Sequence, residues 1–426
     1  MRPMVSGERL VLSTLLAGLY LPGIEEIYLK SRRCLEDRWV AGETKEKSLK
    51  YNFRSQEYIN SFEFSCDSGF GRGLTPLSSL SVSGLPCLTA KDSLALYGGG
   101  RRLVDLLRER PPSLAEAPDL LRRHGFASEA SRLERLGLLD LARQFILEGA
   151  VLTPFHPEAE WIWNRVATLP YALWCSAPGS KAGPTEFPRR LFAVVGSREA
   201  DSLGAKCARA AGMALQQGGW TLITGGALGV DSLALDAVGG TMTPRGVVLL
   251  PQGLGTAAGQ KLKNRWPWAW HLSLCAPWQE FEGRWAHQRN RIIFALSEGA
   301  VSIGPRFRRG GTWSGALECL RGRLAPLALV TAAGEAEALS ALRNLGAFEV
   351  ALDDLAGSRG PEIIGQIVQE GQRRKSVSAG LDSGQGNLFG TEAPDRIAVY
   401  GAYCRAADSN KVREGAARYG LLDRKP

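Results

Sequence analysis

Between residues 191 and 330, short unbroken apolar runs alternate with helical stripes, and this pattern constrains the chain more than any other. Leu191-Phe192-Ala193-Val194-Val195 contains no polar position, as expected of a strand covered on both faces. Leu203, Cys207, Ala210, Ala211, Ala214 and Leu215 then recur at helical spacing, and Gly218-Gly219 ends the helix. Thr221 to Thr224, Gly246 to Leu250, Leu272 to Cys275, Ala300 to Ile303 and Leu327 to Val330 are further candidate strands. Helices are expected at Ser232 to Val238, Gln288 to Leu296 and Ser314 to Arg323. Strands of this kind separated by helices predict an α/β fold, a Rossmann-like doubly wound parallel sheet.

The flanks read differently. Leu103, Leu106 and Leu107, then Leu133 with Leu136, and Leu138, Leu141 and Phe145 recur at three- to four-residue spacing, which predicts a small N-terminal helical domain over 76–150. Residues 1–75 show no sustained period and are expected to be a poorly ordered extension. The sheet domain is assigned to 151–335, and 336–426 to a linker and short C-terminal region. That last region holds one amphipathic stretch near Ala338 to Leu345, a polar tract from Gln372 to Gln385 and a short helix around Asn410 to Tyr419.

Composition narrows the class of partner. The formal charge is +9, and the span from Arg284 to Arg323 holds eight Arg against two acids, Glu298 and Glu318, a local field suited to polyanions. The eight Cys include no C-x-x-C pair and several sit in apolar runs, so they read as reduced core residues of a cytoplasmic protein. None of the four His pairs with Cys or acid at metal-ligand spacing; no metal and no cofactor are expected. Leu10 to Ile24 resembles a signal-peptide core, but Ser13, Thr14 and Pro22 interrupt it and no small-x-small cleavage site follows. The run is too short to span a bilayer, and no membrane association is expected.

Chemistry concentrates at strand ends. Gly196-Ser197-Arg198 follows the first strand and Gly225-Gly226-Ala227-Leu228-Gly229-Val230-Asp231 the second, where open α/β sheets bind ligands. Glycines there let backbone N–H groups approach an anion, and Arg198 can fork onto phosphate oxygens. Any one of these glycines is more readily a tight turn; two such loops on adjacent strands favour a phosphate cradle of Gly196, Ser197, Arg198, Gly225, Gly226 and Gly229. Asp231 is assigned to capping the next helix or orienting the loop. Lys261 and Lys263, with Arg265, precede Trp266-Pro267-Trp268-Ala269-Trp270, cations beside aromatics as single strands require, although each Trp is more commonly core. Arg289-Asn290-Arg291 opens another helix, with its two Arg on different sides, so that one can bind phosphate while the other pairs internally. Gly310-Gly311-Thr312 again offers free N–H groups, which adds Gly311 and Thr312 to the site.

The blocks Phe192 to Arg198, Thr224 to Asp231 and Arg289 to Ser297, together with the final Gly-Gly-Thr turn, occur in the order and spacing of the DprA/Smf family, which the chain resembles over about 151–330. The resemblance implies a Rossmann-like fold that binds single-stranded DNA without catalysis, forms a homodimer and helps load RecA in natural transformation or recombination. The chain departs from the family where a Tyr-Pro-x-x-Asn stretch is usual, near Gly255 to Arg265, and where Cys275-Ala276 replace an acidic residue. It also shows no clear C-terminal winged helix.

Three other readings can be weighed. Gly-Ser-Arg is not the G-x-G-x-x-G of a dinucleotide-dependent oxidoreductase, and Gly255 to Lys261 misses the P-loop spacing. The alternative retained is a nucleotide-derivative enzyme or sensor of the phosphoribohydrolase type, whose Gly-Gly-x-Gly-Thr turn Gly310-Gly311-Thr312 resembles. That chemistry calls for a glutamate just after the turn, whereas Trp313-Ser314-Gly315 stand before Glu318.

Overall fold

A computed structural model describes residues 7–21 and 24, part of 103–116, and 117–384 apart from isolated positions and the stretches 167–168 and 179–186. These residues fall almost wholly in one compact unit formed by 1–68 and 107–376; most of a second unit, 69–106 and 377–426, lies outside the described residues.

The core is a nine-stranded sheet. Its strands are β1 (Val151–Leu152), β2 (Leu173–Ser176), β3 (Leu191–Gly196), β4 (Thr221–Thr224), β5 (Gly246–Leu250), β6 (Trp270–Ser273), β7 (Gly299–Ile303), β8 (Leu327–Val330) and β9 (Phe348–Val350). They lie in the order β1-β2-β6-β5-β4-β3-β7-β8-β9. All pairs from β6 to β9 are parallel, and β1 and β2 are added antiparallel. The doubly wound sheet expected from the apolar runs is therefore present. β6 begins two residues earlier than expected, because Trp270 packs its ring 5.2 Å from Phe187 and the Cys275 N–H turns back to the Ser273 hydroxyl, ending the strand.

Each parallel crossover is a helix. After the loops come α6 (Ser202–Gln217), α7 (Val230–Gly239), α8 (Ala257–Arg265), α9 (Gly283–Leu296) and α10 (Gly310–Arg321). α6 starts where the Asp201 carboxylate accepts the Gly204 N–H at 2.7 Å, and buries Cys207, Ala208, Ala211, Ala214 and Leu215. Its Gly212 lets α7 approach so closely that a methyl group there would sit 2.7 Å from the Ala234 carbonyl oxygen.

Before the sheet come α1 (Gly7–Tyr20), α2 (Ala117–Arg123), α3 (Ala127–Leu136), α4 (Leu138–Leu147) and the short α5 (Glu160–Arg165). Residues 117–147 form α2, α3 and α4 within the same compact unit as the sheet, and most of 76–116 lies outside the described residues. Far from being poorly ordered, Gly7–Tyr20 is a helix that buries Leu12, Leu15, Leu16 and Leu19 and packs on α4. Ala17, Leu21 and Ile24 join the same apolar cluster as Phe145, Ile146, Trp174 and Phe192. The helix carries no clear period in its sequence because it is apolar nearly all round, the signature of a buried helix, and so lacks a polar face to set the phase. Residues 25–75 lie outside the described residues.

The C-terminal expectation also changes. α11 (Ala336–Asn344) matches the amphipathic stretch, but β9 extends the sheet beyond 335, and α12 (Leu352–Ala356) and α13 (Gly360–Gly384) follow. Gln372 to Gly384, read as linker, is the end of α13. The helix expected around Asn410 to Tyr419 lies outside the described residues. Among the described residues no helix is long and apolar enough to cross a membrane.

Candidate nucleic-acid interface

The order of the sheet determines where a ligand can sit. From β3 the chain winds outward through β4, β5 and β6, then returns to place β7 on the other side of β3. The loops after β3 and β7 therefore diverge, opening a crevice at the carboxyl ends of the strands. A cleft of about 450 Å³ occupies this place, lined among others by Gly196, Ser197, Arg198, Arg289, Asn290, Gly304, Arg306, Arg309, Gly311 and Thr312.

Its first wall is the β3 loop. Gly196 is held against the Ile303 carbonyl and Val230, where any Cβ would lie within 2.6 Å of both, so only glycine fits. Ser197 donates its N–H to Ile303 at 3.0 Å, and its carbonyl accepts the Val230 N–H at 3.1 Å. Arg198 then stands exposed. Asp201 is committed to capping α6 and Glu199 pairs with Arg306 at 2.7 Å, so the acids that might have neutralised Arg198 are otherwise engaged. Its guanidinium lies 5.7 Å from the centre of the Phe281 ring.

The floor is Arg289 on α9, buried with only 4% exposure. Its Nη1 lies 3.4 Å from the Leu249 carbonyl, while its Nε is buried without a hydrogen-bond partner. Burial pushes its pKa down, the Asp231 carboxylate pushes it up and Arg198 pushes it down again, yet a guanidinium stays charged. The site thus carries a desolvated cation with unmet donor capacity, which an anion entering the cleft can satisfy. Asp231 beneath it is raised by burial, opposed by Arg289 and by hydrogen bonds that include the Ala227 N–H. It is not the cap of α7, since Gly229 occupies that position; its carboxylate reaches back to the Ala227 N–H at 3.4 Å, within the loop.

Two helix N-termini complete the cleft. Gly310, Gly311 and Thr312 open α10, whose cap residue Arg309 makes no side-chain hydrogen bond to the first turn. Gly283, Ala286 and His287 from the first turns of α9 form the facing wall, again without a side-chain cap. Free N–H groups and the positive ends of both helices add to the four Arg. Asn290 sits between the helices, its Nδ2 3.5 Å from where a Cβ on Gly315 would lie.

Several expected residues fall elsewhere. Gly225, Gly226 and Gly229 are not among the residues that line the cleft, although Ala227 and Asp231 of the same loop are. Gly225 gives up its side-chain space to the Arg289 guanidinium, Gly226 (φ +65°) packs on Val248 and Trp266, and Gly229 (φ +83°) lies under the Ser197 and Arg198 carbonyls. They shape the cleft from behind. Lys261 and Lys263 on α8 are also outside it, and burial lowers the Lys263 pKa. The neighbouring Arg265 and Trp266 both bind Asp236, at 2.6 and 2.8 Å, and Trp266 and Trp270 are core residues rather than a stacking surface. Arg291 faces away from Arg289, as their spacing requires, and pairs with Glu318 at 3.6 Å. Arg306, Arg309, His287 and Phe281 went unassigned; the only signal for the two Arg was the basic run around the Gly-Gly-Thr turn.

Gly229 offers a direct test of this construction. A Cβ there would lie 2.3 Å from the Ser197 carbonyl oxygen and 2.5 Å from that of Arg198, in a left-handed backbone. Gly229→Ala is expected to cost more than about 1 kcal/mol in thermal or denaturant unfolding and to displace the Arg198 loop. An unchanged melting temperature would refute the close approach.

Residues 151–325 match the family described as DNA recombination-mediator protein A. This segment belongs to that family. The match spans β1 to α10 and contains every residue of the cleft, in keeping with the resemblance read from the strand-end blocks. No curated protein matches the sequence significantly. The chain is similar to the X-ray structure of DNA processing protein A from Streptococcus pneumoniae, at 19% identity and a TM-score of 0.44, over 61% of this chain and 89% of that one. It is also similar to DNA processing protein A from Helicobacter pylori, whose structure is described for its single-stranded DNA binding mode (18%, TM-score 0.34, 43% and 91% covered). A third likeness is to the molybdenum cofactor carrier protein of Chlamydomonas reinhardtii (18%, TM-score 0.31, 43% and 99%). At these scores none of the three bears on what this chain does.

Proposed function

We propose that the cleft binds single-stranded DNA through its phosphates and that the protein works in DNA processing by binding, not catalysis. The observation that carries this reading is the convergence of Arg198, Arg289, Arg306 and Arg309 with two uncapped helix N-termini at the switch point of the sheet. The family description and the net charge of +9 support it. Arg198 is the main phosphate anchor, because it is exposed, unpaired by any acid among the described residues and next to the buried Arg289. The phosphate contacts of the site are Gly196, Ser197, Arg198, Arg289, Asn290, Gly311 and Thr312.

The hydrolase alternative is disfavoured by the acids at hand. Glu318 pairs with Arg291 and does not line the cleft, Glu199 is tied to Arg306, and Asp231 lies buried under the loop. We further propose that the protein acts as a cytoplasmic homodimer that hands its strand to RecA in recombination or natural transformation, in line with the word mediator in the family description. Light scattering on the purified protein tests the dimer, and RecA filament formation on coated single strands tests the handover.

The central test is binding of single- and double-stranded oligonucleotides across a salt series. Single strands are expected to bind more tightly and with little sequence preference, and equal or stronger duplex binding would overturn the reading. Arg198→Ala is expected to cost roughly 1–3 kcal/mol and to flatten the log K against log salt slope by about 0.7, with Lys rescuing only partly. A folded Ala variant with wild-type affinity and slope would move the anchor to Arg289.

A further inference from the structure

Beside the cleft, the loop from β7 to α10 carries more than its lining residues. Between Arg306 and Arg309 stand Phe307 and Arg308, and one turn into α10 stands Trp313. Phe307 and Trp313 meet edge to face with ring centres 5.0 Å apart, and the Arg308 guanidinium lies 5.0 Å from the Phe307 ring centre. Both rings are half-buried and all three Arg are exposed. The loop is held: the Phe307 N–H bonds Glu335 Oε2 at 2.8 Å, the Glu335 N–H bonds the Pro305 carbonyl at 3.1 Å, and Arg306 and Arg309 form a bridge. Arg308 adopts φ +56°, a left-handed conformation in which a bulky residue is strained. Glycine adopts that conformation freely, whereas arginine does so at a conformational cost.

We propose that this loop is a second contact surface, onto which a single strand leaving the cleft lays its next nucleotides. The proposal rests on the single-strand reading of the cleft and extends it. An edge-to-face pair leaves the faces of the ring that contributes its edge clear of its partner, so a base can stack there. Arg308 reaches the adjoining phosphate, and Arg309, with Arg306 paired to Glu199 beside it, links this loop to the cleft. Stacking on exposed bases excludes duplex, in which those faces are already occupied, so the loop contributes preference for single strands as well as affinity.

Fluorescence anisotropy with labelled oligonucleotides of about 4 and about 16 nucleotides, the ends of the range for a compact single-strand site, separates the two surfaces. Arg308→Gly and Trp313→Ala are each expected to weaken the long oligonucleotide by about tenfold, near the lower end of one base–aromatic stack, and to leave the short one unchanged. Arg308→Gly is also expected to keep or raise the melting temperature, since glycine relaxes φ +56°, so lost binding cannot be traced to unfolding. Wild-type affinity of both variants for the long oligonucleotide, or equal losses at both lengths, overturns the second surface while the cleft stands. If the wild-type protein binds neither length, the cleft reading itself fails and takes the loop with it.

Discussion

Deleting residues 1–24 is expected to leave a protein that is insoluble or melts far below the full chain. Four leucines of α1, which packs on α4, are each at most 4% exposed: Leu12, Leu15, Leu16 and Leu19. Burying one such side chain is worth about 2 kcal/mol, so the set approaches the roughly 5–15 kcal/mol by which a whole domain is stable. Removal also uncovers Phe145, Ile146 and Trp174, which share a cluster with Ala17, Leu21 and Ile24, and strips Thr153 of the Ser13 hydroxyl it bonds at 2.9 Å. Leu16→Ala in the intact chain is the gentler probe, with an expected loss of about 2–5 kcal/mol in denaturant unfolding. A truncated protein that is soluble and melts with the full chain would show that α1 is dispensable.

Acidification is expected to destabilise the protein between about pH 6.5 and 4. His156 and His271 are both buried, and burial depresses each pKa from 6.5 to about 4, with Lys263 pushing His271 the same way. For His156 the geometry gives a direct reason: Nδ1 accepts the Thr153 N–H at 3.0 Å, which requires that nitrogen to be unprotonated. A histidine with a depressed folded pKa favours the folded state above its unfolded pKa, and that contribution is lost as pH falls toward the folded value. A fall from 6.5 to about 4 is worth roughly 3 kcal/mol for each. Asp231 and Glu318 act in the opposite direction, since burial raises both carboxyls and so favours folding at lower pH. The histidine effect is therefore read as a change in slope: melting temperature against pH should flatten between 6.5 and 4 in His156→Gln and in His271→Gln. Slopes equal to the wild type would remove both histidines from the account.

The two results bear on how much of the molecule can be read without its structure. Strands buried on both faces carry their signal in composition alone, so Leu191 to Val195 and the runs after it were legible, and with them the doubly wound sheet and the loops at its switch point. Gly196-Ser197-Arg198 and Gly311-Thr312 were legible for the same reason, because a short glycine-rich turn after such a strand lies at its carboxyl end whatever the rest of the chain does. Tertiary packing decided what local pattern leaves open. α1 has no polar face, so only its neighbours reveal it. Gly225 and Gly229 look like a cradle in one dimension, yet the Arg289 guanidinium and the Ser197 carbonyl occupy the space above them. Trp266 and Trp270 look like a stacking surface until Asp236 and Phe187 claim them. Arg306 and Arg309 enter the cleft because β7 returns beside β3, more than 100 residues after it in the chain. Spacing along the chain determines which residues can share a strand or helix face; which charges are left unpaired depends on contacts between distant segments, and only the packed structure supplies those.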